Sequence, residues 1–326
     1  MAAVHDGKNF KNAEELVRGV MPEKISECSL ASGKTKTCIR ESALKDLSAI
    51  FNVSFKNPEQ VVEDTKKATG CKTQKCVLTK AVESSKATPE IKASLAEDVK
   101  HKGPTDSQFL SNVNVDGILK QWSKFIPGMY PYNFNMLNYA KYSWRNGRVS
   151  ESPDTLATVC LRELVCERGY TTAGCIINSD IYQNAGKHWM ALFVDTRGKD
   201  RWTVEFFNSS GNSPAPEWVN WLVKSRGQLE TVVSRRPPRV EIVTATGLRQ
   251  QYSKSECGLY SLFYIWARLC GVSAEHFKKI QIPDRYMFEL RHHLFVDSPD
   301  KVPQPFDWGA YQKMTPIGWE SQHHDR

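Results

Sequence analysis

The sequence lacks the features that mark a membrane or secreted protein. Its 326 residues contain no uninterrupted apolar run of about 18 residues, which is the length that a membrane-spanning helix needs. The amino-terminal segment has no apolar core of the kind found in signal peptides. We therefore expect a soluble protein that is made in the cytosol and has no membrane partner.

Motifs for metal or nucleotide chemistry are also missing. The chain has no His-Glu-x-x-His sequence, which zinc proteases use to bind their metal. Its Gly-Lys-Thr segment is not a phosphate-binding loop, because the glycine required five positions before Gly33 is Cys28. Cys71 and Cys76 form a close pair, but no second Cys or His pair follows at zinc-finger spacing. We predict that the protein uses no metal and no other cofactor.

The cysteine count and the net charge bear on whether the protein is stabilised by disulfides and whether it binds nucleic acid. Nine cysteines is an odd number, and the missing secretion signal argues against a disulfide framework, so we expect most of them to be reduced thiols. The net charge of +8 is modest and spread along the chain. Such a distribution does not indicate a nucleic-acid partner.

Aromatic residues are scarce in the first part of the chain. Only Phe10, Phe51 and Phe55 occur among the first hundred residues, which are rich in Lys, Glu, Ala and Ser. Several segments there have helical periodicity, and Thr88 followed by Pro89 is a plausible helix start. This part reads as a small domain made only of helices.

The change in composition predicts two domains. We assign residues 1–100 to a helical arm and residues 101–326 to a core domain, with residues 101–108 as the linker between them. In the core, strand and helix patterns alternate without repeats, and two strands lie close enough in sequence to form a hairpin. The fold class is therefore α+β. The predicted core strands are 188–195, 202–208 and 239–247, and the predicted helices are 118–126, 216–230 and 257–271.

Cys257 is the best candidate for a reactive thiol. It precedes a long apolar helix pattern, and Ser255 is a suitable N-cap. A cysteine at a helix N-terminus feels the positive end of the helix dipole, which favours the thiolate. Gly258 next to it allows a substrate backbone to approach closely. The alternative is a small buried residue that begins a helix.

His188 is the best candidate for the base that such a thiol needs. It opens the first strand of the predicted hairpin, where a strand end would hold an imidazole rigidly at a surface. Trp189 beside it could shield the pair from water. A structural histidine is the alternative interpretation.

Two polar residues complete the candidate site. Asn208 ends the second hairpin strand, so it can lie beside His188 and orient the imidazole, although asparagine is also a common turn former. Gln251 lies six residues before Cys257, and its amide could donate to an oxyanion together with the Cys257 N–H. Gln250 is an alternative donor, and a polar loop residue is the alternative role for both.

Together, the order His-Trp, Asn, then Gln-x5-Cys-Gly at a helix start resembles the Ulp1-like and adenovirus-type cysteine proteases, a papain-related clan. The segments around His188, Asn208 and Cys257 are most similar to the polyprotein-processing members of large DNA viruses, which also carry a helical arm. This resemblance implies an α+β, Ulp1-like core and a triad of Cys257, His188 and Asn208. It further implies that Gln251 forms the oxyanion hole and contacts substrate, and it makes Trp189 a candidate lid over the substrate. Related deconjugating enzymes usually carry Asp where this chain has Asn208.

The resemblance also implies a substrate and a place of action. Such enzymes cleave viral structural polyproteins after Gly-Gly during virion maturation, so the expected partners are polyproteins with Gly-Gly-X sites, in the host cytoplasm and the virion. Two alternatives stay open. One is a protease that deconjugates SUMO or another ubiquitin-like protein, whose chains also end in Gly-Gly. The other is a non-enzymatic virion protein on a protease fold.

Overall fold

The computed structural model describes residues 9–232 and 237–303 of the chain. Its elements are numbered in chain order. The α-helices of this part are α1 (Ala13–Arg18), α2 (Glu41–Ile50), α3 (Pro58–Thr69), α4 (Gln74–Glu83), α5 (Pro89–Glu97), α6 (Asn112–Phe125), α7 (Thr155–Thr158), α8 (Leu161–Cys166), α9 (Pro216–Glu230), α10 (Cys257–Leu269) and α11 (Asp284–Leu294). Short 3-10 helices cover Leu30–Ser32 and Ala274–Lys278. The strands of this part are β1 (His101–Lys102), β2 (Met129–Pro131), β3 (Ser143–Arg145), β4 (Arg148–Ser150), β5 (Thr172–Asn178), β6 (Trp189–Asp195), β7 (Arg201–Phe207), β8 (Arg239–Ala245) and β9 (Phe295–Val296).

Helices α2 to α5 pack around a small apolar cluster of their own. The cluster contains one buried row from each helix, including Leu47, Val61, Val77 and Ile91. The predicted start of α5 is confirmed, because the Thr88 hydroxyl accepts a hydrogen bond from the Ile91 N–H at 3.3 Å. A cluster this small buries little apolar surface, so covalent cross-links between its chain segments add to its stability.

Two such links are disulfide bonds, so the argument against disulfides was wrong, whereas the expectation that most of the nine cysteines are reduced is confirmed for five of them. Cys28 is bonded to Cys38, and Cys71 is bonded to Cys76. All four residues lie in the apolar cluster of the arm, which brings them together independently of their total number. Counting cysteines could not reveal this, because pairing depends on distances that only the fold sets. The other five cysteines are free thiols.

Helix α1 packs on the core domain and not on the arm cluster. Its buried Leu16 and Val17 belong to the large apolar cluster that also contains helix α10. The Trp266 indole N–H of α10 donates to the Val20 carbonyl at 2.8 Å, and Arg18 pairs with Glu289 of α11. The division at residue 100 stays a prediction, and the described contacts tie the first helix to residues beyond it.

The core is built on a five-stranded sheet with the order β2-β5-β6-β7-β8. The predicted hairpin is confirmed, since β6 and β7 pair antiparallel with Ala191 opposite Phe207. Strand β5 is antiparallel to β6, whereas β2 and β8 pair parallel to their neighbours. The predicted strands and helices of the core match the observed bounds within a few residues, except that α6 starts earlier, at Asn112.

Both faces of this sheet are covered by helices. On β6, Ala191 and Phe193 face the cluster that contains α6, α10 and α11. Met190, Leu192 and Val194 alternate with them and face the cluster that contains α8 and α9. Successive side chains of a strand point to opposite faces of the sheet, so β6 is buried on both sides. This arrangement confirms the α+β class.

Helix α10 is buried along its whole length and is fixed to the sheet at its far end. The Arg268 guanidinium donates to both carboxylate oxygens of Glu205 on β7 at 2.8 Å and to Asp195 at 3.2 Å. A buried charge is stable only when it is paired in this way. The anchor sets the position of the helix, and hence of Cys257 at its opposite end.

The predicted linker is partly structured. His101 and Lys102 form a strand that pairs parallel with Phe295 and Val296, just after α11. Residues 103–108 have no regular structure, as predicted. Among the described residues, no helix is both long and apolar enough to cross a membrane.

Candidate active site

His188 lies directly before β6, at the end of a loop that is held in place by Asn178. The Asn178 side-chain oxygen accepts hydrogen bonds from the backbone N–H groups of Asp180 and Lys187, both at 3.0 Å. Gly186 in this loop has a φ of +91°, a conformation that side-chain-bearing residues rarely adopt. The loop thereby returns the chain to the sheet with His188 at its edge.

Asn208 lies directly after β7, and the structure brings it together with His188. Its Oδ1 is 2.7 Å from His188 Nε2. The same oxygen accepts from the backbone N–H and the hydroxyl of Ser210, at 3.0 and 2.8 Å. The Asn208 Nδ2 donates to the Asn212 carbonyl at 3.1 Å. These contacts fix which way the amide faces, so its oxygen points at the imidazole.

This orientation decides the protonation of the His188 ring. Because Asn208 Oδ1 can only accept, Nε2 must carry a proton, and in the neutral ring Nδ1 is then the free base. Burial lowers the pKa of His188, while the hydrogen bond that His188 donates to Asn208 acts in the opposite direction. The imidazole is therefore neutral at pH 7 and ready to take a proton.

Cys257 begins α10 and is almost completely buried, with an exposed fraction of 2%. Burial raises the pKa of its thiol, while the backbone N–H groups of Trp189 and Gly258 lower it. Trp189 follows His188 directly, so this contact places the thiol next to the strand start that carries the imidazole. The helix start acts in the expected direction, but burial outweighs it, so the pKa of the thiol lies above its ordinary value.

The predicted cap of this helix was wrong. The N-cap position is Glu256, and no side chain caps the helix there, because Ser255 lies one residue too early. The Ser255 hydroxyl instead donates to Glu256 Oε1 at 2.7 Å. Glu256 also pairs with Arg291 of α11 at 3.2 Å, and both side chains are fully buried. A buried ion pair between Glu256 and Arg291 therefore lies next to Cys257.

Trp189 packs against the residue that follows the nucleophile. A Cβ atom added to Gly258 would lie 3.3 Å from Trp189 Cδ1 and 3.2 Å from Leu110 Cδ1. The Trp189 indole N–H donates to the Leu110 carbonyl at 3.1 Å, which fixes the ring. Trp189 and Leu110 therefore form an apolar wall over Gly258.

Gln250 and Gln251 have different roles in the structure. Both N–H groups of the Gln250 side chain are used, since Nε2 donates to the carbonyls of Phe277 and Ile280 at 2.9 and 3.0 Å. The Gln251 Nε2 donates to the Ser253 carbonyl at 2.9 Å, which leaves one N–H without a partner among the described residues. Gln251 is therefore the better oxyanion donor of the two.

Several residues that shape this site were not found from the sequence. Leu110 lies 79 residues before Trp189, and no local pattern connects the two. The Ser209 hydroxyl donates to Gln251 Oε1 at 2.9 Å. The only sequence signal for this contact is that Ser209 directly follows a predicted strand. Asp284 contacts the loop that carries Gln251, but its sequence signal is only that of a helix start after a proline.

A possible metal-binding group lies in the arm and not at this site. Among the described residues, Cys71, Cys76 and Asp300 come close enough to share an ion. The two sulfurs are bonded to each other, so they offer no thiolate to a metal in this structure.

Comparisons with known proteins identify the family of the chain. Residues 175–301 match the model of the Ulp1 protease family, C-terminal catalytic domain. The cysteine protease S273R of African swine fever virus is 32% identical over 281 residues, which covers 83% of this chain and 95% of that protein.

The chain belongs to the Ulp1 protease family.

A solved structure and a more distant relative extend this match. The crystal structure of the African swine fever virus pS273R protease superimposes with a TM-score of 0.60 at 28% identity, covering 85% of this chain and 98% of that one. The putative thiol protease R355 of Acanthamoeba polyphaga mimivirus is 23% identical over 206 residues, or 61% of each chain. As an Ulp1-family member related to viral proteins, the chain is a cysteine peptidase, and the fold expected from the resemblance is confirmed. The alternative of a non-enzymatic virion protein is set aside.

Proposed function

We propose that this peptidase is a viral endopeptidase that cleaves structural polyproteins after Gly-Gly during virion maturation, in the host cytoplasm and the virion. Cys257, His188 and Asn208 act as its triad. The observation that carries the proposal is the 2.7 Å contact between His188 Nε2 and Asn208 Oδ1, at the sheet edge that meets the start of α10. The contact leaves Nδ1 as the free base of the neutral His188 ring, and the backbone N–H of the next residue, Trp189, contacts the Cys257 thiol.

The proposed reaction runs through a thioester. His188 Nδ1 takes the Cys257 proton as the sulfur attacks the carbonyl carbon, and the carbonyl oxygen becomes an oxyanion. The Cys257 backbone N–H and the second N–H of Gln251 stabilise this charge. The imidazolium then gives its proton to the leaving amine, and the C–N bond breaks. Water, deprotonated by His188, hydrolyses the thioester and frees the thiol.

The preference for glycine is supported by the wall over Gly258. Trp189 is fixed by its hydrogen bond to Leu110, and a Cβ atom added at Gly258 would lie within 3.3 Å of both residues. Bulky side chains next to the scissile bond would collide with such a wall, whereas glycine has no side chain. The resemblance to polyprotein-processing proteases supports the same preference.

A second candidate is the removal of a ubiquitin-like protein from its conjugates. The relatives from other isolates of African swine fever virus carry the name SUMO-1 cysteine protease. Both functions use a Gly-Gly end, so the active site does not separate them. The two differ in whether a folded domain or an extended peptide is recognised.

The test compares two substrates and three enzymes. Wild type, Cys257→Ser and Cys166→Ser are incubated with a Gly-Gly-X polyprotein fragment and with a linear SUMO fusion, and the products are mapped by mass spectrometry. Cys166 is an exposed free thiol and serves as the matched control. We expect wild type and Cys166→Ser to cut the polyprotein fragment after Gly-Gly, and Cys257→Ser to be inactive. Cleavage of the SUMO fusion alone would favour the second candidate, and equal cleavage by Cys257→Ser would refute the triad.

A further inference from the structure

The loop that carries Gln251 is held from one side by the end of β7. The backbone N–H groups of Gln250 and Gln251 both donate to the Ser209 carbonyl, at 2.8 and 2.9 Å. The Ser209 hydroxyl donates to Gln251 Oε1 at 2.9 Å. Ser209, which follows β7 by two residues, therefore fixes both the backbone and the side-chain oxygen of Gln251.

The same loop is held from the other side by Asp284. Its Oδ2 accepts from the backbone N–H groups of Tyr252 and Ser253, at 3.1 and 2.8 Å. Its Oδ1 accepts from the Ser253 hydroxyl at 3.1 Å. The Ser253 carbonyl in turn accepts from Gln251 Nε2 at 2.9 Å. Asp284 therefore holds Ser253, and the Ser253 carbonyl orients the side-chain nitrogen of Gln251.

Asp284 also reaches the helix that carries the nucleophile. The Tyr260 hydroxyl lies 3.0 Å from Asp284 Oδ1, and it also lies 3.1 Å from the Gln250 carbonyl and 2.7 Å from the Ile282 carbonyl. Tyr260 stands three residues after Cys257 on α10. One carboxylate therefore connects the loop of Gln251 to the helix of Cys257.

The carboxylate has no role in capping its own helix. Asp284 is the first residue of α11, the N-cap is Pro283, and no side chain caps this helix end. The side-chain hydrogen bonds of Asp284 in the described structure go to the Gln251 loop and to Tyr260. Its side-chain hydrogen bonds therefore serve the Gln251 loop and Tyr260, while its charge lies in the first turn of α11, where the helix dipole favours it.

We propose that Asp284 is a positioning residue that sets the Gln251 amide relative to Cys257, so that the oxyanion hole is formed before substrate binds. The inference rests on the proposed role of Gln251 as oxyanion donor. Preorganised donors stabilise developing charge without a cost of reorganisation during the reaction. Loss of Asp284 would let the loop move and would weaken the contribution of Gln251 alone.

The experiment is a double-mutant cycle on peptide cleavage with the full chain. Wild type, Gln251→Ala, Asp284→Ala and the double variant are compared by kcat/KM on one Gly-Gly-X peptide. We expect Gln251→Ala to lose about a hundredfold, as is typical of removing one oxyanion donor. Asp284→Ala should lose about tenfold in wild type, as a small misplacement does. In the Gln251→Ala background it should change the rate by less than about twofold, because the two residues act through one interaction.

Two further readouts separate positioning from general damage. Alkylation of Cys257 by iodoacetamide forms no oxyanion, so its rate should be the same in Asp284→Ala and wild type. A peptide aldehyde forms a tetrahedral adduct with the thiol, and its inhibition constant should rise with the loss in kcat/KM. Asp284→Asn should retain most activity, because its amide oxygen can still accept from Ser253 N–H while its nitrogen donates to the hydroxyls.

The outcomes are distinguishable. If Asp284→Ala loses as much in the Gln251→Ala background as in wild type, or slows alkylation equally, the positioning role is refuted while Gln251 stands. If Gln251→Ala is as active as wild type, the oxyanion role in the proposed function fails, and this inference fails with it. Should Asp284→Ala not fold, Tyr260→Phe removes the link to α10 and is tested by the same cycle and criteria.

Discussion

Asn208 distinguishes this site from the deconjugating enzymes that the sequence resembles, where the residue is usually a carboxylate. An amide oxygen fixes the imidazole through a neutral hydrogen bond, whereas a carboxylate would also stabilise the imidazolium. Here burial lowers the pKa of His188 below its ordinary value of 6.5. The neutral partner thus keeps His188 available as a base at mildly acidic pH.

We predict that Asn208→Asp moves the acidic limb of the activity profile to higher pH. Activity requires neutral His188, so kcat/KM falls as the pH drops through the pKa of the imidazole. The carboxylate raises that pKa, and the variant should therefore lose activity at a pH where wild type retains it. The measurement is kcat/KM between about pH 5 and pH 9, with the limbs of the bell-shaped profile fitted.

Asn208→Ala serves as the control for this comparison. It should lower kcat/KM by at least about tenfold at all pH values, because the imidazole loses its orienting partner. An Asn208→Asp profile that coincides with wild type would show that residue 208 does not act on the base.

The start of α10 illustrates which elements the sequence predicts and which contacts it does not. The apolar run after Cys257 is long enough to indicate a buried helix, and the helix is observed. The contact of Gly258 with Leu110 joins segments far apart in the chain. Propensity and periodicity describe neighbours in sequence, and so they could not predict this wall.

We predict that Gly258→Ala lowers activity without destabilising the fold. The added methyl group would lie 3.2 Å from Leu110 and 3.3 Å from Trp189, so the wall must shift by a few tenths of an ångström. The expected loss in kcat/KM is about tenfold, less than the hundredfold loss that a 1 Å displacement can cause. Peptide kinetics and a urea unfolding curve measure the two effects separately.

Gly227→Ala in α9 is the matched control, because an added Cβ there meets nothing within 4 Å. It should leave activity unchanged and stabilise the fold by about 0.5–1 kcal/mol, since alanine favours the helix. The idea of a wall is wrong if Gly258→Ala is as active as Gly227→Ala.

At the scale of the whole molecule, buried basic groups lie where the arm meets the core. The Lys100 ammonium donates to the His292 carbonyl at 2.7 Å, and burial lowers the pKa of Lys100 to about 7. Lys75 lies beside them, and its pKa is lowered to about 8 by burial. Burial, and Lys100 and Lys75 nearby, also lower the pKa values of His292 and His101 to about 4. This junction therefore disfavours additional positive charge.

We predict that the folded protein loses stability as the pH falls from about 6.5 to about 4, because His101 and His292 must stay neutral in the fold. The unfolded chain binds more protons in that range, so the free energy of unfolding decreases with falling pH. A shift from 6.5 to about 4 corresponds to at most about 3 kcal/mol for each histidine.

Urea unfolding at several pH values measures this effect. The variants His101→Gln and His292→Gln should each flatten the dependence, because glutamine does not titrate. An unchanged slope in both variants would mean that other groups, such as buried carboxylates, dominate the acid response.

The sequence predicted the elements and the residues of the candidate triad better than it predicted their surroundings. The order of His188, Asn208 and Cys257 and their places at strand and helix ends are local properties, and the fold brings His188 and Asn208 into contact. The disulfide bonds of the arm and the contacts of Asp284 depend on chain segments that meet only after folding. The raised pKa of the Cys257 thiol depends on burial, which a single helix pattern does not report.

The end of β7 has a consequence for how this enzyme can evolve. Asn208 contacts His188, the proposed base, and its neighbour Ser209 holds the side-chain amide of Gln251. An insertion or deletion in the hairpin between β6 and β7 that shifts β7 by one residue would misplace both at once. Homologues should therefore tolerate length changes in the turn at residues 196–200 only when the strand register is kept. The contact of Asn208 with His188 and the contact of Ser209 with Gln251 should therefore be kept or lost together in evolution.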